Sequence, residues 1–132
     1  MPALTSLVLT DRESTPVNHT FNPQSKDGGI GVLVESTGVK LGDSSFSVSS
    51  RKTAGGRYTA KLKLVLPVVE NQVVGAITTP TITRTAYATI EFNYSAASTT
   101  QERKNLVGML MSALPASQTM IDKVVVGLEE IW

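Results

Sequence analysis

Between Asp43 and Glu70 the chain carries no acid, and that gap holds five of its twelve basic residues: Arg51, Lys52, Arg57, Lys61 and Lys63. Lysine and arginine at this density are phosphate-holding groups. Hydroxyl residues are interleaved with them, Ser47, Ser49 and Thr59 among them, and hydroxyls hydrogen-bond base edges. Further along, Tyr87 is the one aromatic in a run of threonines that includes Thr83, Thr85 and Thr89. An exposed ring in such a setting is a platform on which a base can stack. Together these residues could recognise single-stranded or looped nucleic acid. The same residues also suit a plain solvated sheet face; Tyr87 tilts the reading toward recognition.

Catalytic chemistry is poorly served. The chain has no cysteine and a single histidine, His19. That excludes a thiol enzyme, a disulfide scaffold and a zinc ribbon, and leaves little room for a serine triad or a histidine metal site. His19 reads as a surface residue near a turn. Glu129-Glu130 reads as a solvated helix face. Gly28-Gly29-Ile30-Gly31 has the look of a phosphate loop, but no helix follows and no lysine closes it, so turn chemistry explains it better. No acid/base pair stands out. The expectation is a non-enzymatic protein without metal or cofactor.

The elements that must position the basic residues are strands. The 132 residues include 16 Thr, 15 Val and 13 Ser, a composition that favours β-structure. The length fits one domain, expected over 1–132, with a core that needs no covalent staples. No signal peptide is visible, and the longest apolar run, Leu64 to Val69 around Pro67, is far too short to span a membrane as a helix. The chain therefore reads as cytosolic when made. Its net charge of +1 conceals the basic gap, because the segment from Gln101 to Trp132 holds four acids and three bases.

Pattern divides the chain in two. Strands are expected over 4–10, 17–21, 30–35, 46–53, 57–66 and 82–94, with Ser36-Thr37-Gly38 ending the third. A longer loop is expected over 68–80, punctuated by Gly75 and Pro80. Helices are expected in 98–131. Either Ser98 or Thr99 can open a capping box, with Gln101 or Glu102 as its fourth residue. Leu106, Val107, Leu110 and Leu114 form the first apolar stripe, which Pro115 ends. Met120, Ile121, Val124, Leu128 and Ile131 form the second. Strands followed by helices indicate an α+β layer built on an antiparallel sheet.

Parity along the strands sorts the side chains by face. A three-residue turn, Ala54-Gly55-Gly56, pairs Arg51 with Thr59, Ser49 with Lys61 and Ser47 with Lys63. Odd positions then share a polar, basic face, and even positions, such as Phe46, Val48, Leu62 and Leu64, share an apolar one. A two-residue turn would mix the faces, so burial selects the longer turn. On the last strand the odd face carries Tyr87, Thr89, Glu91 and Asn93. The even face is the expected floor for the helices.

Several stretches, in order and spacing together, resemble the coat proteins of the small single-stranded RNA bacteriophages, the levivirus family. They are Val34-Glu35-Ser36-Thr37-Gly38-Val39, Arg51-Lys52-Thr53-Ala54-Gly55-Gly56-Arg57-Tyr58, Lys61-Leu62-Lys63-Leu64, Thr83-Arg84-Thr85-Ala86-Tyr87 and Ser98-Thr99-Thr100-Gln101-Glu102-Arg103. The resemblance implies an N-terminal β-hairpin, a five-stranded antiparallel sheet and two C-terminal helices. It implies a homodimer with a continuous sheet, in which each chain's helices reach across the other. It further implies assembly of dimers into an icosahedral capsid, commonly T=3, around viral single-stranded RNA, in the virion and, before that, in the host cytoplasm. The same sheet would bind an RNA hairpin operator and repress replicase translation. Carried over by position, the adenine-pocket residues are Ile30, Ser47, Ser49, Thr59 and Lys61. The stacking tyrosine is Tyr87, beside the polar contact Thr89, and the basic contacts are Arg51, Arg57 and Lys63. Some relatives carry an acid at the position of Lys63 and Asn or Asp at that of Thr89, which bears on which hairpin is preferred. Loop 68–80 would lie where dimers meet. Two other readings fit the residues alone: a non-viral single-stranded RNA-binding β-sheet module, and a structural or adhesive β-rich subunit.

Overall fold

The structure is a computed structural model that describes residues 3–36 and 42–132. Thr37, Gly38 and Val39, part of an expected turn and of one matching stretch, lie outside the described residues. The chain divides into two compact units, Met1–Asn93 and Tyr94–Trp132.

The first unit is built from six antiparallel strands in sequential order: β1 (Leu7–Thr10), β2 (Asn18–Asp27), β3 (Ile30–Glu35), β4 (Ser44–Lys52), β5 (Tyr58–Val74) and β6 (Ile77–Tyr94). The expected hairpin and five-stranded sheet share one long strand. The first part of β2 pairs with β1, from Asn18↔Thr10 to Phe21↔Leu7, and the rest pairs with β3, from Asn22↔Val34 to Asp27↔Ile30. A register shift between Pro23 and Ser25 falls just after this change of partner. Residues 22–27, outside the strand expected from sequence, belong to β2. Gly28 and Gly29 close β2 onto β3 with φ of 57° and 81°. A two-residue hairpin with positive φ at both positions suits glycine, which confirms turn chemistry there.

The turn from β4 to β5 has the expected length. Thr53 N donates to Arg57 O at 2.7 Å, and Gly56 N donates to Thr53 O at 3.0 Å. The register follows as parity requires: Arg51↔Thr59, Ser49↔Lys61 and Ser47↔Lys63 on one face, with Phe46↔Leu64 and Val48↔Leu62 on the other.

One expectation fails. Residues 68–80 are not a loop: β5 runs on to Val74, β6 starts at Ile77, and only Gly75-Ala76 turns the chain. Pro67, just past the end of the strand expected over 57–66, and Pro80, expected to punctuate the loop, both lie within strands. The pairing of β4 with β5 ends at Ser45↔Val65, so Pro67 has no β4 partner to fail. Pro80 lies on β6, which is an edge strand. Proline is tolerated where no ladder bond is demanded.

The buried part of this unit is small. Among the described residues the buried hydrophobics are Phe21 and Leu33, each 2% exposed. Leu33 lies opposite Phe46, whose ring centroid is 6.4 Å from that of Phe21 at a tilted 60°. These side chains join β2, β3 and β4 on the apolar face.

His19 is not a free surface residue. Its Nδ1 lies 2.7 Å from Glu35 Oε2 on β3, and its Nε2 lies 2.6 Å from Asp11 Oδ2 in the β1–β2 connection. Two ionised carboxylates can only accept, so both ring nitrogens must donate, which is the charged imidazolium. The Asp11 and Glu35 hydrogen bonds accordingly raise the His19 pKa above its ordinary 6.5. Asp11 Oδ1 accepts from the backbone N–H of Val17 at 2.9 Å and of Glu13 at 3.2 Å. The Val17 bond first and His19 second hold its carboxyl below the ordinary 3.8.

The second unit contains α1 (Thr100–Ala113) and α2 (Thr119–Val125). Of the two possible capping boxes, the Thr99 one forms. Glu102 N donates to Thr99 Oγ1 at 3.2 Å, and Thr99 N donates to Glu102 Oε2 at 2.9 Å. Helix α2 stops short of the expected stripe, leaving Leu128 and Ile131 outside it. Leu128 turns to φ 58°, and Glu129 N donates back to Lys123 O at 3.1 Å, which closes the helix end.

Candidate nucleic-acid interface

The strand register assembles the polar face in rows. Ile30 on β3 lies opposite Ser49 on β4, which lies opposite Lys61 on β5. Val32, Ser47 and Lys63 form the next row in the same way. Arg51 and Thr59 form a third. Strand β6 joins them from the far side: Glu91 Oε2 lies 3.8 Å from Lys61 Nζ, and Thr59 Oγ1 donates to Asn93 Oδ1 at 3.0 Å.

These rows enclose a cavity of about 250 Å³. It is lined by Ile30, Ser49, Arg51, Thr59 and Lys61, with Gly28, Gly29, Ser50 and Glu91. The Gly28-Gly29 turn forms one rim, next to the start of β3, where Ile30 lies opposite Ser49. An apolar wall (Ile30), two hydroxyls (Ser49 and Thr59) and an ammonium (Lys61) therefore converge on one space large enough for a nucleobase.

Beyond the cavity the face continues along β5 and β6. Lys63 Nζ stands 5.5 Å from the centroid of the Tyr87 ring. Tyr87 is 67% exposed, so its ring remains open to a stacking partner. Thr89 follows on β6 and is exposed. Arg57 lies at the β4–β5 turn and is exposed but is not part of the cavity lining. Ser47 and Lys63 share a row next to it. Of the ten residues singled out from sequence, five line the cavity and the others flank it on the same strands or at the adjoining turn.

Parity places Glu91 and Asn93 on the polar face, but neither is among the residues the sequence marks for the site. The expected loop at 68–80 left the register of β5 against β6 open, so nothing set Glu91 against Lys61. The basic gap also concealed this acid, which lies well beyond it in the sequence. Lys52, the one basic residue of the gap on the other face, has its Nζ 5.6 Å from the Tyr58 ring centroid.

A larger open groove of about 490 Å³ lies within the helical unit, between α1 and α2. Lys104 is its one basic residue and it has no aromatic lining, so it lacks the elements of base recognition.

Residues 2–132 match the sequence model of the family described as Levivirus coat protein. The capsid protein of Pseudomonas phage PRR1 is 49% identical over 129 residues, which cover 98% of each chain. Among solved structures, the virus-like particle of bacteriophage ESE058 superposes with a TM-score of 0.87 at 22% identity, covering 99% of this chain and 100% of that one. The protein capsid of bacteriophage GA gives a TM-score of 0.79 at 21% identity, covering 94% of this chain and 95% of that one. At those identities the likeness is one of fold, an antiparallel sheet followed by two helices. Together with the match over nearly all of the sequence, it shows that the chain belongs to the levivirus coat protein family.

Proposed function

We propose that this chain is a structural subunit that dimerises, assembles as dimers into an icosahedral shell around viral RNA, and binds an RNA hairpin to repress replicase translation. The observation that carries the RNA part is the cavity on the polar face, where Ile30, Ser49, Arg51, Thr59 and Lys61 converge. In this reading the cavity takes an unstacked base, and Tyr87 stacks a second one. Arg51, Arg57 and Lys63 hold phosphates, while Ser47 and Thr89 supply polar contacts. The role is structural and regulatory, not catalytic.

Dimerisation is supported by surfaces left unsatisfied in one chain. Strand β6 is an 18-residue edge strand. A long open edge invites pairing with another strand, and the same edge of a second copy would extend the sheet. On the apolar face Val48, Tyr58, Leu66 and Ile82 are exposed. Neither helix contains a buried residue, and Leu106, Val107 and Leu114 of the first stripe are exposed. A partner's helices laid across the apolar face would bury both sets, a hydrophobic gain of about 25 cal/mol for each Å² covered. The β5–β6 hairpin tip carries exposed Val73, Val74 and Ile77, apolar material suited to contacts between dimers.

Electron microscopy of the purified chain tests assembly. Uniform shells containing nuclease-protected RNA are expected; monomers alone at micromolar concentration would overturn the capsid reading. RNA binding without shells would instead favour a separate RNA-binding module. With about four phosphate contacts, log affinity for a hairpin should fall against log salt with a slope near −3 to −4.

A further inference from the structure

Three side chains at the edge of the cavity fix one another's hydrogen-bond direction. Glu91 Oε1 lies 3.1 Å from Asn93 Nδ2, and Asn93 Oδ1 lies 3.0 Å from Thr59 Oγ1. An ionised carboxylate can only accept, so the Asn93 amide nitrogen must face Glu91. The amide oxygen must then face Thr59. That oxygen can only accept, so the Thr59 hydroxyl must give it its single proton. What Thr59 has left to offer a ligand is lone pairs. Glu91 is itself a lining residue, and its Oε2 lies 3.8 Å from Lys61 Nζ, so it adds acceptor character beside the one ammonium donor.

We propose that Asn93, braced by Glu91, is a positioning residue that locks the Thr59 hydroxyl as an acceptor, so that the cavity favours a base presenting an exocyclic amine over one presenting a carbonyl at that point. This rests on the reading of the cavity as an RNA site. A carbonyl placed against Thr59 would meet lone pairs on lone pairs, and a buried polar group without its partner is penalised more than a good hydrogen bond is rewarded. Asn93 itself does not line the cavity. It acts on the ligand only through Thr59.

The test uses assembled, full-length protein and two ten-nucleotide probes, oligocytidylate and oligouridylate. These differ at the pyrimidine edge in an amine against a carbonyl and in the protonation of the neighbouring ring nitrogen. The wild-type protein should bind the cytidine probe about tenfold more tightly, the size of one well-placed base-edge contact. In Asn93→Ala the hydroxyl is free to rotate and donate, so the ratio should fall toward one with the salt slope unchanged. Glu91→Gln is nearly isosteric and guards against misfolding of the first variant. Its amide lets Asn93 turn over, so the ratio should fall while affinity for both probes rises with the loss of a negative charge. A merely structural role would weaken both probes equally and leave the ratio intact, and that result overturns the proposal. Equal wild-type affinity for the two probes, with normal salt dependence, overturns it while leaving the RNA reading standing. No salt-dependent affinity for either probe overturns both.

Discussion

The Lys63 ammonium stands 5.5 Å from the centre of the Tyr87 ring, a contact from β5 to β6 across the polar face. The cation is on the ring and the ring is exposed, so a base stacking on Tyr87 would find a phosphate-binding charge beside it. Tyr87→Ala is expected to keep assembly intact and to lose about 1–3 kcal/mol of hairpin binding, the usual worth of one base stack. Filter binding at fixed salt measures it, and unchanged affinity would remove Tyr87 from the interface.

The N-terminal hairpin should respond to pH through His19. Its raised pKa means that its contribution is complete below the ordinary 6.5 and fades as pH rises through the elevated value. The lowered pKa of Asp11 acts in the opposite sense: its contribution is complete above 3.8 and fades as pH falls through the depressed value. The hairpin is therefore best held between pH 3.8 and 6.5. His19 is the sole histidine, so its ring resonance can be followed by NMR without assignment ambiguity. A midpoint at or below 6.5 would contradict the two-carboxylate clasp.

The capping box predicts a cost for Thr99→Ala. The substitution removes the acceptor for Glu102 N and should destabilise the helical unit by about 1 kcal/mol. Thr99→Ser should recover most of that loss. Denaturant midpoints of the dissociated subunit would report both.

Gly127→Ala should also destabilise, for a steric reason. An added Cβ would lie 2.7 Å from Lys123 O, a backbone atom in the last turn of α2 that cannot swing aside. The helix end would have to open, at a cost of about 1–3 kcal/mol, as for other strained or overpacked sites. Slower amide exchange at Val126 and Glu129 in the variant than in the parent would refute this, because their hydrogen bonds close that end.

Much of the architecture was legible because alternation and turn length constrain each other. Only a three-residue turn at Ala54-Gly55-Gly56 keeps Ser47, Ser49 and Arg51 on one face with Lys63, Lys61 and Thr59, and that register is the one adopted. Burial enforces it, since a slip of one residue would expose Phe46 and Leu64. The capping box was equally legible, because both of its partners lie within four residues. Prolines misled at 67 and 80. Whether a missing N–H matters depends on whether a neighbouring strand asks for it, and that is a property of the sheet, not of the local sequence.

The sequence by itself determined the face on which Ser49, Thr59, Lys61, Tyr87, Glu91 and Asn93 lie, because side-chain alternation is a local consequence of backbone geometry. Only the tertiary structure decided which of them meet. Lys61 and Glu91 are thirty residues apart and Thr59 and Asn93 thirty-four, and they meet because β5 and β6 run on to a turn at Gly75-Ala76, where the local sequence indicates a long loop. The same holds for His19, sixteen residues from Glu35, whose charge exists because the β1–β2 connection and β3 bring one carboxylate to each ring nitrogen. Side-chain direction is written into each strand; electrostatic partners arise from pairing between strands, where long-range packing sets the distance.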